Sequence, residues 1–134
     1  MTLKKIIGLL CLLPLVAFAA KPTSTIDLEI PLTPKESISF YALKYGASEK
    51  ELLKVAYCES RYNPKAIHYN DGGKSKHSFG VFQYQESTFN QFDNLIGEDL
   101  DYYSYNDQIK LTAYVFANYP KLKTHWSCFN ILYK

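Results

Sequence analysis

Leu52, Val55, Ala56 and Glu59 fall at the i, i+3, i+4 and i+7 spacing of a single helix face. Pro64 cannot continue such a helix, and it pushes Asn63 out of the α region, so the helix must stop with Glu59 in its last turn. This places a carboxylate on a stripe that the other three residues reserve for the core, where an unpaired charge is costly. Desolvation and the negative end of the helix dipole both favour the protonated acid and raise its pKa. A carboxyl held in that state suits a general acid.

The flanking sequence supplies partners for this helix. Thr33-Pro34-Lys35-Glu36 reads as a capping box with proline at the first helical position, followed by Ile38, Tyr41, Ala42 and Tyr45 and closed by Gly46. Ser48 and Glu51 form a second capping box at the start of the Glu59 helix. Residues 63–77 are rich in Asn, Gly, Lys and His and predict an exposed loop turning at Asn70-Asp71-Gly72-Gly73. Ser78 to Gln85 alternates apolar with small or polar residues, which suits a short strand or hairpin edge. A helix is predicted from about Glu86 to Leu95, ended by Gly97, and a last one from near Asn106 through Ile109, Ala113 and Phe116, stopping before Pro120. Trp126 and Cys128 lie in a tail. The fold class is therefore α+β, predominantly helical, with one domain spanning 33–134.

Residues 1–19 read as a cleavable signal peptide: Lys4 and Lys5, an apolar run from Ile6 to Val16, then Ala17-Phe18-Ala19. The run is too short for a membrane anchor. Cys11 lies inside it behind a large leucine, a poor lipoprotein signal, and is expected to be discarded. Residues 20–32 form an extended arm with weak alternation at Ile26, Leu28 and Ile30. The formal charge of +2 also changes, because Lys4 and Lys5 leave with the signal and the remaining bases equal the acids. A chain near neutrality with a single arginine, Arg61, is not expected to bind nucleic acid.

Two cysteines remain after export, Cys58 and Cys128. In an oxidising compartment they are most simply one disulfide, which would stabilise by ~4 kcal/mol through the long loop it closes. A reactive thiol is the alternative. His68, His77 and His125 show no metal-ligand spacing and read as solvated loop residues, so no metal or cofactor is expected. No Gly-x-Ser-x-Gly elbow supports a serine triad, and no strand and Gly-Lys-Ser/Thr helix start frame the paired glycines as a phosphate loop. Twelve tyrosines suit stacking on sugar rings, although core packing accounts for most of them. Ser78 and Gln83 flank Gly80, whose missing side chain leaves the backbone open to a ligand.

Taken in order, Cys58-Glu59-Ser60-Arg61-Tyr62-Asn63-Pro64, Asn70-Asp71-Gly72-Gly73, Ser78-Phe79-Gly80-Val81-Phe82-Gln83 and Ser87-Thr88-Phe89 resemble the lysozyme-like superfamily, in its soluble lytic transglycosylase and goose-type branch. Cys58 directly before Glu59, Gln108-Ile109 and Trp126-Ser127-Cys128 also resemble resuscitation-promoting-factor domains, whose disulfide joins those two positions. The resemblance runs from about Ala47 to Cys128 and implies a lysozyme-like domain with a small strand or hairpin element beside its cleft.

It further implies a secreted or periplasmic enzyme cutting the MurNAc-β-1,4-GlcNAc bond of peptidoglycan to leave 1,6-anhydro ends. Glu59 would be catalytic, Ser60 would support the helix end at the substrate site, and Ser78, Gly80 and Gln83 would contact substrate. The late Ala-Tyr-Asn-Ala-Gly motif is replaced by Ala113-Tyr114-Val115-Phe116, which carries only Tyr114 into the site. The partners implied are glycan strands and a secretion or envelope assembly, with the protein a monomer. A two-carboxylate glycosidase needs a second acid, and Asp71 is the one nearby candidate. Hydrolysis by the same site and a non-catalytic wall-binding module are the alternative functions.

Overall fold

A computed structural model describes residues 32–134, so the expected signal peptide and almost all of the arm lie outside the described residues. Within them the chain forms α1 (Pro34–Tyr45), α2 (Glu49–Ser60), β1 (Ile67–Tyr69), β2 (His77–Phe79), α3 (Glu86–Ile96) and α4 (Tyr105–Asn118). A 3-10 helix (Pro120–His125) and α5 (Ser127–Tyr133) complete it. The architecture is the predominantly helical α+β one that the helix signals predict.

Helix α4 is the centre. Gln108, Ile109, Leu111, Thr112, Ala113, Val115 and Phe116 are all buried, so the helix is enclosed on most of its circumference rather than along one stripe. Helices α1 and α3 and the 3-10 helix pack on it, and α1 and α5 pack on α2. The core joins Ile38, Leu52, Val55, Ala56, Val81, Phe82, Tyr84, Phe89 and Trp126 to the buried face of α4.

Both expected helix starts are present, with one difference. Thr33 and Glu36 form the reciprocal capping box of α1. At α2 the Ser48 hydroxyl accepts from the Glu51 amide, but the Glu51 carboxylate reaches Lys123 Nζ at 2.7 Å instead of turning back to its own helix. An ion pair to the far end of the chain thus replaces half of the predicted motif.

Three further expectations are corrected. The loop predicted over 63–77 contains β1, which pairs antiparallel with β2 in the register Ile67↔Phe79, His68↔Ser78, Tyr69↔His77. Its three residues are all exposed, so no burial pattern marks it in the sequence. The strand predicted over 78–85 ends at Phe79; Gly80 to Gln83 form a turn closed by the Phe79–Tyr84 bridge. The alternation there reflects Val81, Phe82 and Tyr84 dropping into the core from a turn. The tail is helical, and its anchor is Trp126, whose indole Nε1 donates to Phe82 O at 3.0 Å. Among the described residues no helix is long and apolar enough to cross a membrane.

Candidate active site

Helix α2 stops where the sequence requires. Arg61 and Tyr62 take left-handed φ values of 55° and 64°, and their amides close back on Tyr57 O and Ala56 O. Non-glycine residues in that region cost on the order of 1–3 kcal/mol each, a strain that recurs at functional sites. It fixes Glu59 one residue from the helix end, partly buried, in a cleft of about 350 Å³.

The cleft has two walls around Glu59. On one side stand His68, Asp71, Ser78, Gln83, Tyr84, Gln85 and Thr88; on the other, His125, Trp126 and Ser127. The first wall is held by a connected set of hydrogen bonds. Ser78 Oγ donates to the Asp71 carboxylate, and Gln85 Nε2 donates to Asp71 O at 2.8 Å. Gln83 Nε2 donates to Gly80 O at 2.8 Å and to Ala66 O at 3.1 Å, which ties the turn to the start of β1. Both amide hydrogens are thereby used, and the Gln83 carbonyl oxygen remains for a polar ligand.

The second wall comes from the C-terminal segment, and it touches Glu59 directly. The Cys128 backbone amide donates to Glu59 Oε1 at 3.2 Å. Cys128 is disulfide-bonded to Cys58, with Cα atoms 5.9 Å apart, so the open alternative of a reactive thiol falls away. His125 packs edge-on against Phe92 and Trp126. Desolvation by those rings lowers its pKa and favours the neutral imidazole.

These surroundings act on Glu59 in opposite senses. Burial raises its pKa, the Cys128 hydrogen bond lowers it, and the negative charge of Asp71 raises it again; the balance is a carboxyl above its ordinary value. Neither lysine nor arginine lines the cleft to oppose this. The group can therefore stay protonated at a pH where an exposed glutamate has ionised.

The sequence-predicted residues divide into three sets. Glu59, Ser78 and Gln83 are brought together at the cleft. Ser60 and Gly80 are adjacent but support it from behind. Ser60 Oγ donates to Val81 O at 2.8 Å and to Ala56 O at 3.3 Å, fastening the helix end to the turn. Gly80, at φ 85°, is buried, and a Cβ there would lie 2.3 Å from Gln108 Oε1. The side chain that closely approaches Gly80 is Gln108, a core residue of α4.

Tyr114 is the residue the structure does not bring to the cleft. Its hydroxyl donates to Leu95 O at 3.3 Å, and its ring lies edge-on to Tyr45. Thr112, about 200° away around the helix, is the α4 residue that reaches towards the cleft, through the Tyr84 hydroxyl at 3.0 Å.

Sequence reasoning read His68 and His125 as solvated loop residues and did not place them at a site, nor Gln85, Thr88, Trp126 or Ser127. A signal for the second wall was present: once Cys128 is joined to Cys58, everything beside Cys128 must lie near Glu59. His68 could have been found only by recognising β1, since it stands opposite Ser78. No group of three or more metal-ligating side chains occurs among the described residues.

Residues 36–122 match the family model of the transglycosylase SLT domain. The match covers more than half of the chain, and the chain belongs to this family. Its architecture is accordingly lysozyme-like, and the family's chemistry is lytic-transglycosylase-type cleavage of peptidoglycan, a substrate that lies outside the cytoplasm. The goose-type and resuscitation-promoting-factor likenesses rest on the quoted residues alone. No curated protein and no solved structure matches the chain. The matched stretch ends before His125, so the second wall of the cleft lies beyond it.

Proposed function

We propose that the protein is an exported lytic transglycosylase that cuts the MurNAc-β-1,4-GlcNAc bond and leaves 1,6-anhydro-MurNAc ends, with Glu59 as both acid and base. The observation that carries this reading is the Glu59 carboxyl in a polar cleft, held above its ordinary pKa chiefly by burial, while the other carboxylate there, Asp71, is engaged by the Ser78 hydroxyl. Protonated Glu59 gives its proton to the glycosidic oxygen, and the C1–O4 bond breaks with its electron pair leaving on the GlcNAc oxygen. The 2-acetamido oxygen of the MurNAc shares the positive charge that develops at C1. The Glu59 carboxylate then takes the proton of the C6 hydroxyl, and O6 closes on C1. The proton count returns to its start, and no water is consumed.

Ser78 and Gln83 offer hydrogen bonds to the sugar hydroxyl and acetamido groups, and the cleft's polar lining suits a glycan. The apolar run behind Lys4 and Lys5 would deliver the domain to the compartment where its substrate lies.

Glu59→Gln keeps the shape and the Cys128 contact but has no proton to give. It is expected to lower muropeptide release from purified sacculi by about 10³-fold, within the usual range for a general acid. Full release by this variant would end the proposal.

A second reading, hydrolysis, is favoured by Asp71, which lies in the same cleft and close enough for its charge to act on Glu59. An activated water at Asp71 would yield reducing ends, and Asp71→Asn would then abolish them. On the transglycosylase reading, Asp71→Asn leaves the anhydro product unchanged in kind.

A further inference from the structure

Glu59 sits between two attachments of the same short segment. Its carboxylate accepts the Cys128 amide, and the residue before it, Cys58, is covalently joined to Cys128. Trp126 and the packing of α5 on α2 and on the 3-10 helix also hold that segment. Cys128 is the one buried residue of α5, whereas Ser127, Ile131, Leu132 and Tyr133 are exposed, and Phe129 rests partly buried on Phe116. The Trp126 indole anchors the chain two residues upstream of the amide.

We propose that the Cys58–Cys128 disulfide is a positioning device for the acid: it holds the Cys128 N–H against the Glu59 carboxylate, and so sets both the direction in which the carboxyl points and the pH at which it gives up its proton. The inference rests on Glu59 being the working acid. A carboxyl in a partly buried cleft with an acidic neighbour holds its proton more tightly, which makes it a poorer donor in the first half of the reaction. One well-placed amide restores part of the stability of the ionised form, because a hydrogen bond to a charged acceptor is stronger than one to its neutral form. Cys58 lies within the family match and Cys128 beyond it.

The other ionisable groups facing Glu59 are Asp71 and His68 on the first wall and His125 on the second, with the Tyr84 hydroxyl engaged by Thr112. None of these is bonded to Cys58 or Cys128, so removing the disulfide leaves their identities and attachments in place. Cys58 is exposed at the surface, which also opens the bond to reductant.

The test reads the carboxyl itself. The side-chain carboxyl carbon of Glu59 is titrated by NMR in three proteins: the oxidised wild type, Cys58→Ser/Cys128→Ser, and a chain ending at Cys128 as its carboxamide, which places no new carboxylate beside Glu59, keeps the disulfide and loses the rest of α5. The Glu59 midpoint is expected to move to higher pH in the double variant and in dithiothreitol-treated wild type, and to stay at the wild-type value in the shortened chain. An unmoved midpoint in a folded double variant overturns the proposal. So does an equal shift in the shortened chain, which would assign the amide's placement to α5 packing. If the double variant does not fold, the shortened chain still decides between the covalent bond and the helix. Because the readout is a titration and not turnover, failure here is separate from failure of Glu59 as catalyst, which the Glu59→Gln digest reports.

Discussion

The two walls of the cleft are built by different means. The wall from His68 to Thr88 lies within the matched family residues and is assembled from a three-residue hairpin and a tight turn, cross-tied by Ser78, Gln83 and Gln85. The wall from His125 to Cys128 lies outside them and depends on one buried indole and one disulfide. The first presents side chains to the cleft, and the second presents a backbone amide to Glu59. Their electrostatic effects on Glu59 are opposed, since Asp71 raises its pKa and the Cys128 amide lowers it. The acid's ionisation is thus a balance that neither wall sets alone, with burial the largest influence.

The comparison can be broken most severely from the second wall. Trp126 is 3% exposed, meets Phe82, Tyr84, Phe92 and Phe116, and lines the cleft. Trp126→Ala should cost about 4 kcal/mol in chemical denaturation, as expected for a buried aromatic, and should remove activity with the fold's stability. A loss under 1 kcal/mol, far below the usual range for such a truncation, would mean that the segment is not an integral wall.

Gly80 tests the first wall from behind. Gly80→Ala places a methyl on Gln108 at a left-handed φ, and should destabilise by about 2 kcal/mol while leaving the residues that line the cleft unchanged. If Gly80 instead served the substrate, binding would fall with stability intact.

Asp71→Asn has the smallest expected effect and sharpens the balance itself. Removing the negative charge lowers the Glu59 pKa, because Asp71 raises it. The sign for activity follows from the proposed mechanism: if the first step needs protonated Glu59, turnover fades as pH rises through that pKa. The alkaline limb of the pH–rate profile should therefore move to lower pH in Asp71→Asn and to higher pH when the disulfide is removed. Limbs that shift in the same direction would contradict the opposition of the two walls.

The elements legible in the sequence were those with a complete local signal. Helix α1 carries a cap, a proline and a stop glycine, and for α2 Asn63-Pro64 signals the stop that left-handed Arg61 and Tyr62 make just after Glu59. Residues whose roles depend on distant contacts were not legible. Strand β1 is exposed on every residue, and α5 is a single short helix stabilised by a crosslink rather than by an apolar stripe. The sequence offers Gly80 as an opening for a ligand and gives no sign of Gln108, which packs against it from 28 positions along the chain. Tyr114 was drawn towards the site by likeness to a motif the chain does not contain, and helix geometry turns it towards α1 and α3.

The most direct test of the account is the end group formed when sacculi are digested in water enriched in heavy oxygen and the released muropeptides are weighed by mass spectrometry. Glu59 acting as acid and then as base predicts 1,6-anhydro-MurNAc ends, lighter by one water than reducing ends and free of heavy oxygen. Reducing ends that carry heavy oxygen would contradict it and assign the second step to a water molecule.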